Sequence, residues 1–388
     1  MQRISDKTLL KNVSVDINTI CIWTNIPNHY QRDFFQAIRK SEVKVWVRYY
    51  ERIGENRIRM GWNPQPDLLD DESWVGNPLE ALKRLHNWKN MPHILCGVRH
   101  TLSLSYALSK NFAPWAYWGE KFKPNLRSIL TYPIRRKYFR NLRKYGLGAF
   151  GIGKTAIMDF IRLGVPEDRT AVLPYVCAPL NKGADPDPLI KNFVDNRIVY
   201  MYCGTLSHRK GTDLLIKAFA RVNKLSSIPS CLVLVGNNTS SGKYQALIKT
   251  LGLSESVLFR GPVKPELMAG IMQCSDVFIL PSRYDGWGVV LNEAASLGKP
   301  LISTDQCGAA FHLIITGENG FRVKAGDVGE LAEAMEKYLR DPLLIKKHGE
   351  QSQEIFRQFH PSSNADYLLS KLSEWLDAWR ERKSLYGL

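Results

Sequence analysis

The chain has no long apolar run. Its longest uncharged stretch, residues 225–242, is broken by Ser, Asn and Gly, and only residues 231–235 within it are continuously apolar. A spanning helix needs about 20 predominantly apolar residues, so none is expected. The opening residues, MQRISDKTLLKN, have no apolar core of the kind a secretory signal carries, which points to a cytoplasmic protein. Seven cysteines, from Cys21 to Cys307, never fall into Cys-x-x-Cys spacing. That argues against a disulfide framework or a zinc site and for reduced, mostly buried thiols. Acids are scarce beside bases: 37 against 53, a formal net charge of +16. Such an excess implies an anionic partner, which nucleic acid, an anionic membrane face or a phosphorylated small molecule would each satisfy.

A length of 388 residues exceeds what one hydrophobic core usually supports and suits two domains. Short apolar runs alternate with helical patterns along the first half. Strands are expected at residues 17–23, 43–50, 93–98, 113–118 and 171–175, with a strand end at 149–153. Helices are expected at 29–40, 80–88, 103–109, 135–145 and 154–163. Residues 51–74 carry Gly, Pro and mixed charges with little periodicity and read as an irregular excursion. Residues 177–195, rich in Pro, Asp, Lys and Gly, read as a linker. A second alternation follows, with strands at 198–203, 231–235, 257–259, 277–280 and 301–304. Its helices fall at 211–223, 243–251 and 265–273, and another lies within 326–340. Two doubly wound parallel sheets are the expectation, with ligands at the carboxyl ends of their strands and in the cleft between them. Residues 367–382 place Leu368, Leu369, Leu372, Trp375, Leu376 and Trp379 at helical spacing, a core-packing face.

Residues 276–300, DVFILPSRYDGWGVVLNEAASLGKP, hold the densest signal. A buried strand runs into a turn with Gly286 and Gly288, and a helix begins near Gly288. Backbone N–H groups of Gly288, Val289 and Val290 at a helix start lack helical partners and attract an anion. Asp285 and Glu293, eight residues apart, flank the turn. Carboxylates there suit the hydroxyls of a sugar or ribose. The same residues also suit a plainer role, Glu293 as a first-turn helix acid and Asp285 as a turn former.

The flanking sequence resembles the retaining family 4 glycosyltransferases of the GT-B fold, whose usual form is Glu-Gly-Phe-Gly, four residues, then Glu-Ala. Here it reads Asp285-Gly286-Trp287-Gly288, four residues, Glu293-Ala294. The first acid is one methylene shorter than the family's. Gly204-Thr205-Leu206-Ser207-His208-Arg209-Lys210-Gly211 is similar to the family's phosphate-binding loop. Lys210 falls on its lysine, Thr205 stands where its arginine usually is, and Arg209 is the candidate replacement. Residues 259–263, ending at Val263, resemble the segment whose backbone meets the nucleobase, and do not separate uracil from guanine. Residues 305–310 and 317–320 resemble the family's small-residue turn and its following Asn-Gly turn.

The resemblance implies two Rossmann-like domains facing across a cleft: residues 1–178 for the acceptor and 196–360 for the nucleotide sugar. Residues 366–388 would cross back onto the first domain. It implies retaining sugar transfer of hexosyltransferase type from a nucleotide diphosphate sugar, with a UDP-sugar favoured over a GDP-sugar. The implied roles place Arg209 and Lys210 on the diphosphate with Gly204, Thr205 and the 288–290 amides. Glu293 would hold the ribose, and Asp285, beside Gly286 and Trp287, the donor sugar. The resemblance implies no metal, and no cofactor is expected.

The first domain departs from the family. It has no paired glycines after its first strand, and Glu120 stands where the family's active-site histidine is usual. A glutamate at that strand end could accept the acceptor's proton or position the sugar; an exposed loop acid is the other reading. His29, Asp33 and His100 are rival polar groups.

Residues 121–144 carry nine bases and no acid: Lys121, Lys123, Arg127, Arg135, Arg136, Lys137, Arg140, Arg143 and Lys144, interleaved with aromatics. A solvated face is the ordinary reading. The sharper one is docking at the inner face of an anionic membrane, each well-placed cation contributing about 1 kcal/mol. That fits a lipid-linked saccharide acceptor in cell-surface polysaccharide or lipopolysaccharide assembly. A transferase with a soluble small-molecule acceptor is the alternative within enzymes. A basic nucleic-acid-binding protein is the alternative of another class, and no zinc finger, recognition helix or RNA-binding aromatic motif supports it.

Overall fold

The computed structural model describes residues 17–58, 62–123, 126–225 and 227–385. Residues 1–16, on which the expectation about a signal segment rests, lie outside them.

Two parallel sheets organise the chain. The first holds β1 (Thr19–Thr24), β2 (Lys44–Tyr49), β3 (Glu72–Trp74), β4 (His93–Cys96), β5 (Trp115–Gly119), β6 (Ala149–Gly151) and β7 (Thr170–Val172), in the order β3-β2-β1-β4-β5-β6-β7. The second holds β8 (Ile198–Cys203), β9 (Ser230–Val235), β10 (Val257–Gly261), β11 (Val277–Leu280), β12 (Leu301–Thr304) and β13 (Gly320–Val323), in the order β10-β9-β8-β11-β12-β13. Helices cover both faces, so the central strands are apolar throughout: Ile20 to Trp23 and Val277 to Leu280 are all buried.

Strand order reverses between β1 and β4 in one sheet and between β8 and β11 in the other. Loops leaving neighbouring strands diverge there and leave a crevice at the carboxyl ends. The loop after β8 carries Arg209 and Lys210, and the loop after β11 carries Asp285 and Gly288. Topology thus brings together segments 75 residues apart.

The terminal helix Pro361–Leu385 returns to the first sheet. The Trp375 ring lies 4.6 Å from that of Phe150, and Trp379 Nε1 donates to the Tyr145 carbonyl at 2.8 Å. The helix starts before residue 366, and residues 386–388 lie outside the described ones.

The linker reading of residues 177–195 needs correction. It contains a helix, Pro188–Val194, whose cap Asp187 accepts from the Ile190 amide at 3.0 Å. The guanidinium of Arg260 pairs with the same carboxylate at 2.8 Å and ties the helix to β10. The Asp and Pro that look like linker composition are the cap and first position of a helix. Residues 51–74 likewise hold a short helix, Glu55–Ile58, and β3. The helix Leu343–Phe356 and strand β13 also went unread in the sequence.

Candidate active site

A cleft of about 420 Å³ lies between the two sheets. Its second-domain wall comes from the two loops described above. Gly204, Thr205, Arg209 and Lys210 face it from the β8 loop, and Asp285, Trp287, Gly288, Val289, Val290 and Glu293 from the β11 loop and the helix Val290–Ser296. Val263 adds to this wall after β10. Glu120, just past β5, faces them from the first domain. Of the expected site residues only Gly286 lies off the cleft surface; it is packed beneath, against the Glu120 carboxyl group.

The two loops are fixed to each other. The Arg283 guanidinium grips Asp213 with two bonds of 2.7 Å and also donates to the His208 carbonyl at 2.7 Å. The Arg283 amide donates to the Arg209 carbonyl at 2.9 Å, and Arg209 Nη1 donates to the Tyr284 carbonyl at 3.0 Å. Arg209 is therefore held at the cleft, where it lines the same wall as Thr205 and Lys210. The Lys210 ammonium donates to Asp285 Oδ2. The family resemblance implies that these two groups meet different parts of a ligand; in the structure they are partners, both mostly buried.

Gly288 has φ +91, and a Cβ there would lie 2.6 Å from Cys307 Sγ. Glycine is needed on both counts. Cys307 donates its thiol to the Trp287 carbonyl at 2.9 Å. Asn292 accepts from Trp287 Nε1 at 2.9 Å, which pins the ring. Glu293 is buried in the first turn of its helix while still lining the cleft.

Glu120 is half-buried in the cleft, and its carboxyl group is raised from an ordinary 4.5 to about 7. Burial is the main cause and the charge of Asp285 adds to it, while Lys123, Lys210 and Arg209 oppose. Such a group exchanges a proton near neutrality. Of its rivals, Asp33 accepts from the Ala178 amide at 2.9 Å and His100 pairs with Glu51 at 3.1 Å; neither lines the cleft. The side chain of His29 lies outside the described residues.

Sequence reasoning missed the rest of the first-domain wall: Tyr30, Arg57, Trp62 and Tyr175. Tyr30 was open to inference, because it lies in the first turn of the helix that follows β1, the strand at the reversal point. Arg57 and Trp62 come from the irregular excursion, and nothing local marks them.

The basic stretch is not one uniform face. Lys121 turns to the second domain, donating to the Gln306 carbonyl at 3.1 Å with its ammonium 5.0 Å from the Tyr284 ring. Arg135 is buried, its guanidinium 4.4 Å from the Phe122 ring. Lys123, Arg136, Lys137, Arg140, Arg143 and Lys144 are exposed. Residues 124–125 and the side chain of Arg127 lie outside the described residues. Among the described residues, no three His, Cys, Asp or Glu side chains group as a metal site, and no helix is long and apolar enough to cross a membrane.

Comparison with known proteins fits this geometry. The structure is similar to that of HepE from Anabaena, crystallised with UDP: TM-score 0.75 at 18% identity, covering 92% of this chain and 100% of that one. A D-inositol 3-phosphate glycosyltransferase from Gordonia bronchialis is 28% identical over 329 residues, 81% of this chain and 68% of that protein. The lipopolysaccharide core biosynthesis mannosyltransferase LpcC of Rhizobium leguminosarum bv. viciae is 32% identical over 151 residues, 38% of this chain and 42% of that protein. The chain spans about half the length of several other curated relatives it matches. The model of the family Glycosyl transferases group 1 matches residues 186–355, the unit that begins at the Asp187 cap. The two facing parallel sheets give the chain the GT-B fold, and its second domain matches the Glycosyl transferases group 1 model.

Proposed function

We propose that this protein is a retaining glycosyltransferase of hexosyltransferase type, which moves a sugar from a UDP-sugar to a saccharide borne on a lipid carrier. The observation that carries the reading is the convergence of Arg209, Lys210, Asp285, Glu293 and the open helix start at Val289 and Val290 on one interdomain cleft. The UDP bound to HepE, on the same fold, supports uridine over guanosine. The lipopolysaccharide role named for LpcC supports a cell-surface acceptor.

In this reading Arg209, Lys210 and the amides of Val289 and Val290 stabilise charge growing on the leaving diphosphate. Donors fixed in place before reaction are each worth roughly two to three orders of magnitude in rate. Glu293 holds the ribose hydroxyls. Lys210 exchanges Asp285 for phosphate when the donor binds, which frees the aspartate for the donor-sugar hydroxyls. The leaving phosphate takes the acceptor's proton on the face it departs from, so the anomeric configuration is kept. Glu120, facing this point from the acceptor side, positions the incoming hydroxyl or shares its proton. Transfer proceeds without metal or cofactor, and chelation leaves the rate unchanged.

A soluble acceptor is the second reading, favoured by the inositol phosphate named for the Gordonia relative. Incubation with radiolabelled UDP- and GDP-sugars and a bacterial cell extract, lipids included, separates the two. Label entering the organic phase supports the lipid-borne acceptor, label only in water-soluble product supports the second reading, and no transfer from any UDP- or GDP-sugar contradicts both.

A further inference from the structure

Three large aliphatic side chains on one short helix, Leu126–Leu130, face solvent: Leu126 is 73% exposed, Ile129 70% and Leu130 71%. Tyr132 and Ile134, at the start of the next helix, are about half exposed. Single exposed apolar residues are ordinary, but five within nine positions form a patch that water disfavours. Beside them lies a groove of about 900 Å³, separate from the interdomain cleft, with Phe122, Leu126, Ile129, Tyr132, Pro133 and Leu163 in its lining. Its polar lining is mainly cationic, from Lys123, Arg135 and Arg162. The one carboxylate there, Asp159, accepts from the Phe122 amide at 2.9 Å and from Arg162 at 3.4 Å. Exposed Arg136, Lys137 and Arg140 continue the positive charge along the helix Tyr132–Tyr145.

The groove opens next to the reaction cleft. Phe122 lines the groove and Glu120 lines the cleft, two residues of chain apart, at most about 7 Å. An apolar trough ringed by cations, next to a cleft that takes polar ligands, matches a molecule with a hydrocarbon chain, an anionic junction and a sugar head.

We propose that this groove receives the aliphatic chain of the lipid-borne acceptor while Leu126, Ile129 and Leu130 sit in the acyl layer of an anionic bilayer. This rests on the lipid-borne reading above and adds insertion to it: the protein enters the membrane surface and does not merely adsorb by charge. Adsorption by charge is screened at high salt, where the Debye length falls from about 10 Å at 0.1 M to about 3 Å at 1 M, whereas apolar insertion persists.

The test uses the full chain with vesicles of one part phosphatidylglycerol to three parts phosphatidylcholine, sedimented at 0.1 M and 1 M NaCl. Wild type is expected to bind at both. The double variant Leu126→Asp with Leu130→Asp should lose at least tenfold in affinity at both. The triple variant Lys123→Glu, Arg136→Glu, Lys137→Glu should fall at 0.1 M to the residual that wild type keeps at 1 M. Parinaric acid, a fluorescent fatty acid, probes the groove without vesicles: saturable binding to wild type and a tenfold weaker fit to Ile129→Glu are expected. Wild-type binding that vanishes at 1 M NaCl, aspartate variants that bind like wild type, or parinaric acid indifferent to Ile129→Glu would each overturn the proposal. The UDP-induced thermal shift is recorded on every variant. If it persists while the lipid readouts fail, only the groove assignment falls. If it is absent from wild type while lipid binding holds, the donor reading falls.

Discussion

The carboxyl group of Glu120 occupies the space that a side chain on residue 286 would fill. One residue belongs to the first domain and the other to the second, so the two walls of the cleft touch where the second presents a glycine. In Gly286→Ala the new methyl meets the end of a flexible side chain, so the acid moves and the fold survives. Unfolding free energy by urea should change by less than about 1 kcal/mol. Sugar transfer should fall at least tenfold, because displacement of a positioned group by about 1 Å is costly in rate. Equal losses of stability and activity would show that the contact serves folding alone.

Gly288→Ala is a different case. The positive φ and the Cys307 sulfur beneath leave no flexible partner to yield. A loss of about 1–3 kcal/mol is expected, with UDP affinity reduced because the amides of Val289 and Val290 are re-aimed. Calorimetric titration of UDP beside thermal unfolding checks both effects.

Much of this unit was legible because its signals are local. Gly286 and Gly288, the apolar run Val277–Leu280 and the acids Asp285 and Glu293 lie within seventeen residues, and each has a short-range physical reason to be there. What stayed hidden depends on distant packing. Pro188–Val194 looks like linker because a helix cap and first turn share composition with loops. Tyr175 and Arg57 reach the cleft only through sheet order. The pairing of Lys210 with Asp285 joins two loops that no spacing rule connects. Arg135 counts as a surface cation in the sequence, yet it is buried against Phe122.

That pairing has a measurable consequence. Lys210→Ala should weaken UDP binding at least tenfold, whereas Asp285→Asn should leave UDP affinity within about threefold and lower the transfer rate. A double-mutant cycle on unfolding free energy should give a coupling on the order of 0.5–3 kcal/mol, as for groups in contact. Zero coupling would mean that the two groups act separately.

The pH dependence has a definite sign. Glu120 holds its proton up to about pH 7 in the folded chain, against an ordinary value of 4.5. The folded state therefore binds more protons than the unfolded one between those values. The stabilisation is fully present below about pH 4.5 and lost as pH rises through about 7. Glu120→Gln should remove that part of the slope, which melting temperatures of both proteins from pH 4.5 to 8 will show. Parallel curves would place the glutamate in an ordinary aqueous setting.

The most direct measurement is thermal unfolding of wild type and Glu293→Ala with UDP, GDP and a DNA oligomer in turn. A ligand at about 100 times its dissociation constant adds roughly 2.7 kcal/mol, a shift on the order of 5 °C. UDP is expected to raise the wild-type midpoint more than GDP does, DNA is expected not to raise it, and Glu293→Ala should abolish the UDP shift. A wild type indifferent to both nucleotides, or stabilised by DNA instead, would contradict a nucleotide-sugar site in the interdomain cleft.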